Sequence, residues 1–215
     1  MNRATHIGVV VFTVIFAIAG MSHGFFELQQ GNKPTDGFLI EAIAEEQQYW
    51  EHGSEAAFTL LPTFSQAGVA TILISILLIV WSVRFLYLPY GAFVLLVLFI
   101  LLFLVGGGIA QIIFFPWVCL VATRINKDLR WWKNRLPKRL QRFLRLIWSV
   151  MLIAGTILIL IALYIAVYGY FPDFDDADQL LIFLFILLLS GFACFLVAFV
   201  SGFARDIHAM KMTAT

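Results

Sequence analysis

The chain has 215 residues, of which 62% are hydrophobic and only 13% are charged, and its net charge is +1. Soluble globular proteins carry about 25% charged residues, so this composition excludes a water-soluble domain. It predicts an all-α integral membrane protein, with residues 1–215 forming a single polytopic domain.

Long apolar runs recur along the chain and predict membrane-spanning helices. Each run is long enough to cross a hydrocarbon core of about 30 Å at about 1.5 Å per residue. Helices are expected rather than strands, because the backbone must satisfy its own polar groups in lipid and the runs show no two-residue alternation. The four clear runs cover residues 6–28, 57–83, 146–171 and 179–204.

The connection between the first two runs is polar and acidic. A helix start is predicted near Thr35 and Asp36, because such residues accept hydrogen bonds from the first free N–H groups of a helix. Polar side chains then recur at spacings of three and four residues. The pattern predicts an amphipathic helix over about 36–52, lying on the membrane surface or over the mouth of the bundle. The polar stripe comprises Glu41, Glu45, Gln48, His52 and Glu55.

A further apolar block, residues 91–125, is too long for one straight crossing. A hairpin turning at Gly106, Gly107 and Gly108 would give two crossings of about 15 residues, which are short for a bilayer. We therefore predict one crossing over about 91–117, with the glycines serving close packing or a kink. The bundle then has five transmembrane helices, and six is the alternative.

The segment 124–145 carries nine of the fourteen Lys and Arg residues. The positive-inside rule predicts a cytoplasmic loop that rests on lipid headgroups, and we expect the cytoplasmic membrane of a bacterium. Nucleic acid is not an expected partner at such a surface, whereas membrane lipid is, and a homo-oligomer or a larger membrane complex is compatible with the sequence. Five crossings would place the acidic connection in the cytoplasm, and six would place it outside.

Ionisable residues stand at both helix ends that face the acidic connection. His23 and Glu27 are four residues apart near the end of the first run, and a second group precedes the next run. The connection must return to the membrane face that it left, so the two groups lie at one depth and can converge. The predicted binding pocket comprises His23, Glu27, Glu51, His52, Glu55, Gln66 and Gln111.

The pocket residues suggest metal or cofactor chemistry as well as binding. His and Glu side chains at one depth suit zinc or iron. Two His on different helices would also suit a b-type haem, since the sequence has no CxxCH motif for covalent attachment. The predicted metal ligands are His23, Glu27, His52 and Glu55.

The sequence contains no Walker A, GxSxG, HExxH or Rossmann glycine motif. We therefore favour a non-catalytic protein that binds or helps transport a small amphipathic or cationic molecule, or that serves as a subunit of a membrane assembly. Two alternatives stay open: an enzyme that uses a metal or haem on a lipid-soluble substrate, and a purely structural membrane protein.

Overall fold

The computed structural model describes residues 1–212. In chain order its elements are α1 (Arg3–Gln29), β1 (Leu39–Ile43), β2 (Glu55–Phe58), α2 (Phe64–Arg84), α3 (Gly91–Val105), α4 (Gln111–Ala122), α5 (Arg130–Arg135), α6 (Lys138–Tyr168) and α7 (Ala177–Met212). Helices α1, α2, α6 and α7 are long and apolar enough to cross a membrane. These four helices support the predicted multi-pass α-helical membrane protein.

Two helices begin at positions that differ from the predicted runs: α6 begins earlier and α2 begins later. Helix α6 begins at Lys138, directly after Pro137, so part of the predicted basic loop is helical. Proline fixes a backbone angle that is compatible with a helix start. Helix α2 begins later than predicted, because the Thr63 side chain caps it by accepting the Gln66 N–H.

The predicted amphipathic helix over 36–52 is wrong, because β1 and β2 pair there as an antiparallel hairpin. In β1, Leu39 and Glu41 are exposed whereas Ile40 and Ala42 are buried, which is the two-residue period of a strand; the alternation ends at Ile43, which is also buried. Ile40 and Ala42 pack with Ala57 of β2 in one small apolar cluster. The strand pairing therefore buries these apolar side chains. The spacing of the acidic residues at three and four positions had instead indicated a helix.

The predicted single helix over 91–117 is also wrong, because α3 and α4 form a helical hairpin. Between them Gly106 and Gly108 adopt φ angles of 130° and 94°, which L side chains rarely adopt, so the helix ends there. Just before α3, the carbonyl of Tyr87 accepts the side-chain amide of Asn126, which follows α4, at 2.5 Å. Both ends of the hairpin therefore lie at the same end of the bundle.

The N-terminus of the chain lies at that end too. The Asn2 side chain donates to the carbonyl oxygens of Arg124 and Lys127 at 2.6 and 2.9 Å. We call this end, which carries residues 124–145, the basic end. The opposite end, with the β-hairpin and the glycine turn Gly106–Gly108, is the acidic end.

A buried carboxylate joins the first long helix to the last. Asp206 of α7 accepts the backbone N–H groups of Ala4 and Thr5 at 2.8 and 2.9 Å, and the Thr5 hydroxyl at 2.7 Å. The first N–H groups of a helix have no partner within the helix, and the Asn2 side chain does not cap them. A side chain from α7 therefore caps α1.

Glycines bring the long helices close together. A Cβ atom added at Gly24 of α1 would lie 2.8 Å from the Gly68 carbonyl oxygen of α2, and one added at Gly155 of α6 would lie 3.0 Å from that of Gly191 in α7. Such backbone approach allows extensive van der Waals contact between membrane helices. The α1–α2 contact lies at the end of α1 where His23 and Glu27 are found.

We expect Gly68→Ala to destabilise the protein, because its Cβ would lie 2.6 Å from the Gly24 carbonyl oxygen. Overpacking of this kind costs about 1–3 kcal/mol. Thermal unfolding of the purified protein should show a lower midpoint. Gly37→Ala is the control, since nothing lies within 4 Å of a Cβ there; equal midpoints for both variants would contradict the close α1–α2 contact.

Candidate functional site

The glycine turn lies directly on the two ionisable side chains of α1. A Cβ atom at Gly106 would overlap the Glu27 carboxylate, and one at Gly108 would lie 2.9 Å from the His23 ring. Only glycine both adopts these backbone angles and leaves this space. The tip of the α3–α4 hairpin thus covers His23 and Glu27.

Hydrogen bonds hold the turn in this position. The Val105 carbonyl at the end of α3 accepts the hydroxyls of Thr59 and Thr71 at 3.2 and 3.0 Å. On the other side of the turn, the Gln111 side-chain amide donates to the Gly107 carbonyl. The turn is therefore fastened to α2, to the chain after β2 and to the start of α4.

His23 forms an ion pair with Glu55 of the β-hairpin. The distance between His23 Nε2 and Glu55 Oε2 is 2.6 Å. The His23 side chain is buried, whereas 36% of the Glu55 side chain is exposed. The β-hairpin thus brings a carboxylate from outside the helices onto a buried imidazole.

Glu27 lies one helical turn beyond His23 and is fully buried. Among residues 1–212, neither of its carboxylate oxygens has a hydrogen-bond partner, and neither does Nδ1 of His23. A buried charge without a partner is strongly disfavoured, and such groups need an explanation in function. Glu27 is therefore the residue most in need of a neutralising proton or cation.

The ion pair controls the titration of Glu55. Burial would raise the pKa of this carboxyl, but the charge of His23 and the hydrogen bond to it outweigh burial, so the pKa lies below its ordinary value. Glu55 therefore stays ionised at neutral pH.

A cavity of about 380 Å³ adjoins this site, between α1, α4, α6, α7 and the β-hairpin. One part of its lining is polar and consists of His23, His52, Ser54, Glu55 and Gln111. The rest is mostly apolar and includes Phe16, Phe114, Leu163, Leu184, Phe185 and Leu188. This size and mixed lining are typical of pockets for small molecules. We call it the amphipathic cavity.

Four of the seven predicted pocket residues are arranged differently from the prediction. Glu27 is fully buried beneath the glycine turn and does not line the cavity. His52 lines the cavity but bonds to Asp178 of α7, with its Nε2 2.9 Å from the carboxylate oxygen. Glu51 and Gln66 are exposed and do not line the cavity. Glu51 and His52 lie in the connection between β1 and β2, and Gln66 lies at the start of α2.

The four predicted metal ligands, His23, Glu27, His52 and Glu55, are not brought together as one group. In the part of the chain that the structure describes, no three His, Cys, Asp or Glu side chains are grouped so as to hold a metal ion. His23 is instead paired with Glu55, and His52 with Asp178.

Sequence patterns did not reveal several residues of the site. Asp178 directly precedes the last predicted apolar run, and nothing in the sequence links it to His52, which is 126 residues away. Trp50 lines the cavity and donates its indole N–H to the Ala166 carbonyl at 3.0 Å. A Cβ at Gly169 would overlap the Trp50 ring, so this glycine ends α6 and admits the indole.

No family model, curated protein or solved structure matches the chain. Functional inference therefore rests on the geometry of the site.

We expect Glu55→Gln to remove a pH-dependent part of the stability. Because the folded pKa is lowered, the Glu55 contribution is fully present above the ordinary carboxyl pKa of 4.5 and is lost as pH falls through the lower folded value. The free energy of unfolding of the variant should be about 1 kcal/mol lower than that of the wild type at neutral pH. As pH falls below 4.5, the thermal unfolding midpoint of the variant should decrease less steeply than that of the wild type.

Glu51→Gln is the matched control, because Glu51 is exposed and lies in the same hairpin. Its pH profile should follow that of the wild type. A Glu55→Gln profile that coincides with both would show that the His23–Glu55 pair does not stabilise the fold.

Proposed function

We propose that the protein binds a small amphipathic cation in the amphipathic cavity. The observation that carries this proposal is the ionised Glu55 at the polar end of an otherwise apolar pocket. The cationic head would lie against Glu55, and the apolar part would lie between α4 and α7. Helping such a molecule across the membrane is an extension of the same role.

The charges around the cavity favour a cation over an anion. Glu55 and Asp178 pair with the two histidines, while Glu27 lies behind His23 without a partner. None of the described residues that line the cavity is Lys or Arg. An anionic head would therefore lie near the Glu55 carboxylate without a Lys or Arg side chain to bind it.

The apolar side of the cavity supports entry from the membrane. Phe185 of α7 lines the cavity and is also about half exposed. In a lipid bilayer such a surface faces acyl chains rather than water. A ligand with an apolar tail could therefore reach the cavity sideways, after dissolving in the bilayer.

We expect decyltrimethylammonium to stabilise the protein in nanodiscs of zwitterionic lipid, and decyl sulfate not to. Glu55→Gln should weaken the cation's apparent affinity about tenfold, since a charged contact contributes about 1.5–3 kcal/mol. Thermal-shift titrations measure both effects.

Glu51→Gln is again the control and should bind like the wild type. Equal stabilisation by the two amphiphiles, or an unchanged affinity in Glu55→Gln, would refute the cation site.

We also propose six crossings, with the basic end in the cytoplasm of a bacterial cell and the acidic end outside. The hairpin arrangement of α3 and α4 supports this, because it returns the chain to the end where Asn2 lies. Short crossings are tolerable here because other parts of the protein bond the turn. Ala56 accepts the Ile109 N–H, and Leu104 accepts the Leu60 N–H at 2.9 Å.

This topology predicts the labelling of single cysteines by a membrane-impermeant maleimide. In a background with Cys119→Ser and Cys194→Ser, Ser54→Cys should be labelled in intact spheroplasts. Asn134→Cys should be labelled only after lysis. Protection of both positions would instead indicate five crossings, with the acidic end inside.

A further inference from the structure

A second concave surface lies at the basic end, between the start of α6 and the end of α7. Its volume is about 280 Å³. It lies at the opposite end of the bundle from the amphipathic cavity. We call it the basic cleft, and its lining residues are Lys138, Gln141, Arg142, Arg145, Ala204 and His208.

We infer that the basic cleft binds the headgroup of a membrane lipid that carries two phosphate groups. This site is separate from the amphipathic cavity, so neither proposal depends on the other.

The cations converge because of their spacing on α6. Lys138, Arg142 and Arg145 follow one another at four and three residues, so they share one helix face. Arg139 lies about 100° further round and does not line the cleft. Lys138 is also the first residue of α6, where the free N–H groups favour an anion.

Among the described residues, no carboxylate neutralises these cations. Within residues 1–212, no carboxylate lies within ion-pair distance of Lys138, Arg142 or Arg145. The acid nearest to His208 in sequence is Asp206, and its oxygens are engaged by α1. Three converging cations repel one another, and a bound anion would offset that repulsion.

The cleft has a fixed shape. The Gln141 side-chain amide donates to the carbonyls of Lys133 and Leu136 at 2.9 and 2.7 Å, which fastens α5 to α6. The Arg205 guanidinium lies 4.5 Å from the Trp148 ring centroid and joins α7 to α6 beside the cleft. The cations are therefore presented by elements that are held together.

The spacing of the cations favours two phosphates over one. Lys138 and Arg145 are separated by a rise of about 10 Å along the helix, which is more than one phosphate group spans. Two phosphates joined by a short linker would reach both ends of the row. A lipid with two phosphodiester groups, such as cardiolipin, has this chemistry.

The continuation of the cleft favours a lipid over a soluble diphosphate. Further along the same two helices toward the middle of the bundle, Ile153 of α6 and Val197 of α7 are 59% and 37% exposed. Such exposed apolar side chains on α6 and α7 would give acyl chains an apolar surface. Basic pockets between membrane helices on the cytoplasmic side are suited to such headgroups.

The test titrates cardiolipin into the full-length protein in neutral detergent and follows the unfolding temperature. The comparison ligands are inorganic pyrophosphate and phosphatidylglycerol, the latter at the same phosphate concentration as cardiolipin. We expect cardiolipin to bind at least tenfold more tightly than either. The affinity for cardiolipin should fall about 100-fold in the triple variant Lys138→Gln/Arg142→Gln/Arg145→Gln, because each cation contributes about a factor of five to binding at an anionic lipid surface.

The charge-matched control is Lys133→Gln/Arg135→Gln/Arg139→Gln, which removes three cations that do not line the cleft. It should keep the cardiolipin preference. Equal binding of cardiolipin and phosphatidylglycerol, or equal losses in the two triple variants, would reduce the effect to general surface charge and overturn the site. Tight binding of pyrophosphate would overturn the assignment of a lipid as the ligand of the cleft.

If the triple cleft variant does not fold, Arg142→Gln alone should lower the affinity for cardiolipin about fivefold. An unchanged affinity would overturn the proposal.

Discussion

The contact between the glycine turn and the end of α1 is the constraint on which the candidate site depends. Backbone without side chains lies on Glu27 and His23, so the carboxylate is sealed from solvent while the imidazole reaches Glu55. The same turn ends α3 and begins the return through α4. A site and a change of chain direction are thus produced by the same three residues.

The membrane helices were predictable because lipid allows a spanning segment few alternatives. The long apolar runs therefore correspond to α1, α2, α6 and α7. The β-hairpin was not predictable in the same way. Its alternating stretch is only four residues long, from Leu39 to Ala42, and the acidic residues around it recur with a helical period.

The candidate site was predictable only in part. His23, Glu27 and Glu55 could be placed together because a short connection must return to the membrane face it left. The partner of His52 could not, since Asp178 lies on another helix far along the chain. The glycine turn was rejected as a hairpin on helix length alone, because contacts that cover a short crossing with protein leave no mark in a hydropathy pattern.

The Asp206 bond to the start of α1 has a consequence for biogenesis. During synthesis α1 is made before α7, so the leading N–H groups of α1 meet the Asp206 carboxylate only after α7 has been made. Two helices that are far apart in the chain therefore meet at the basic end. The final hydrogen bonding of α1 thus depends on the insertion of α7.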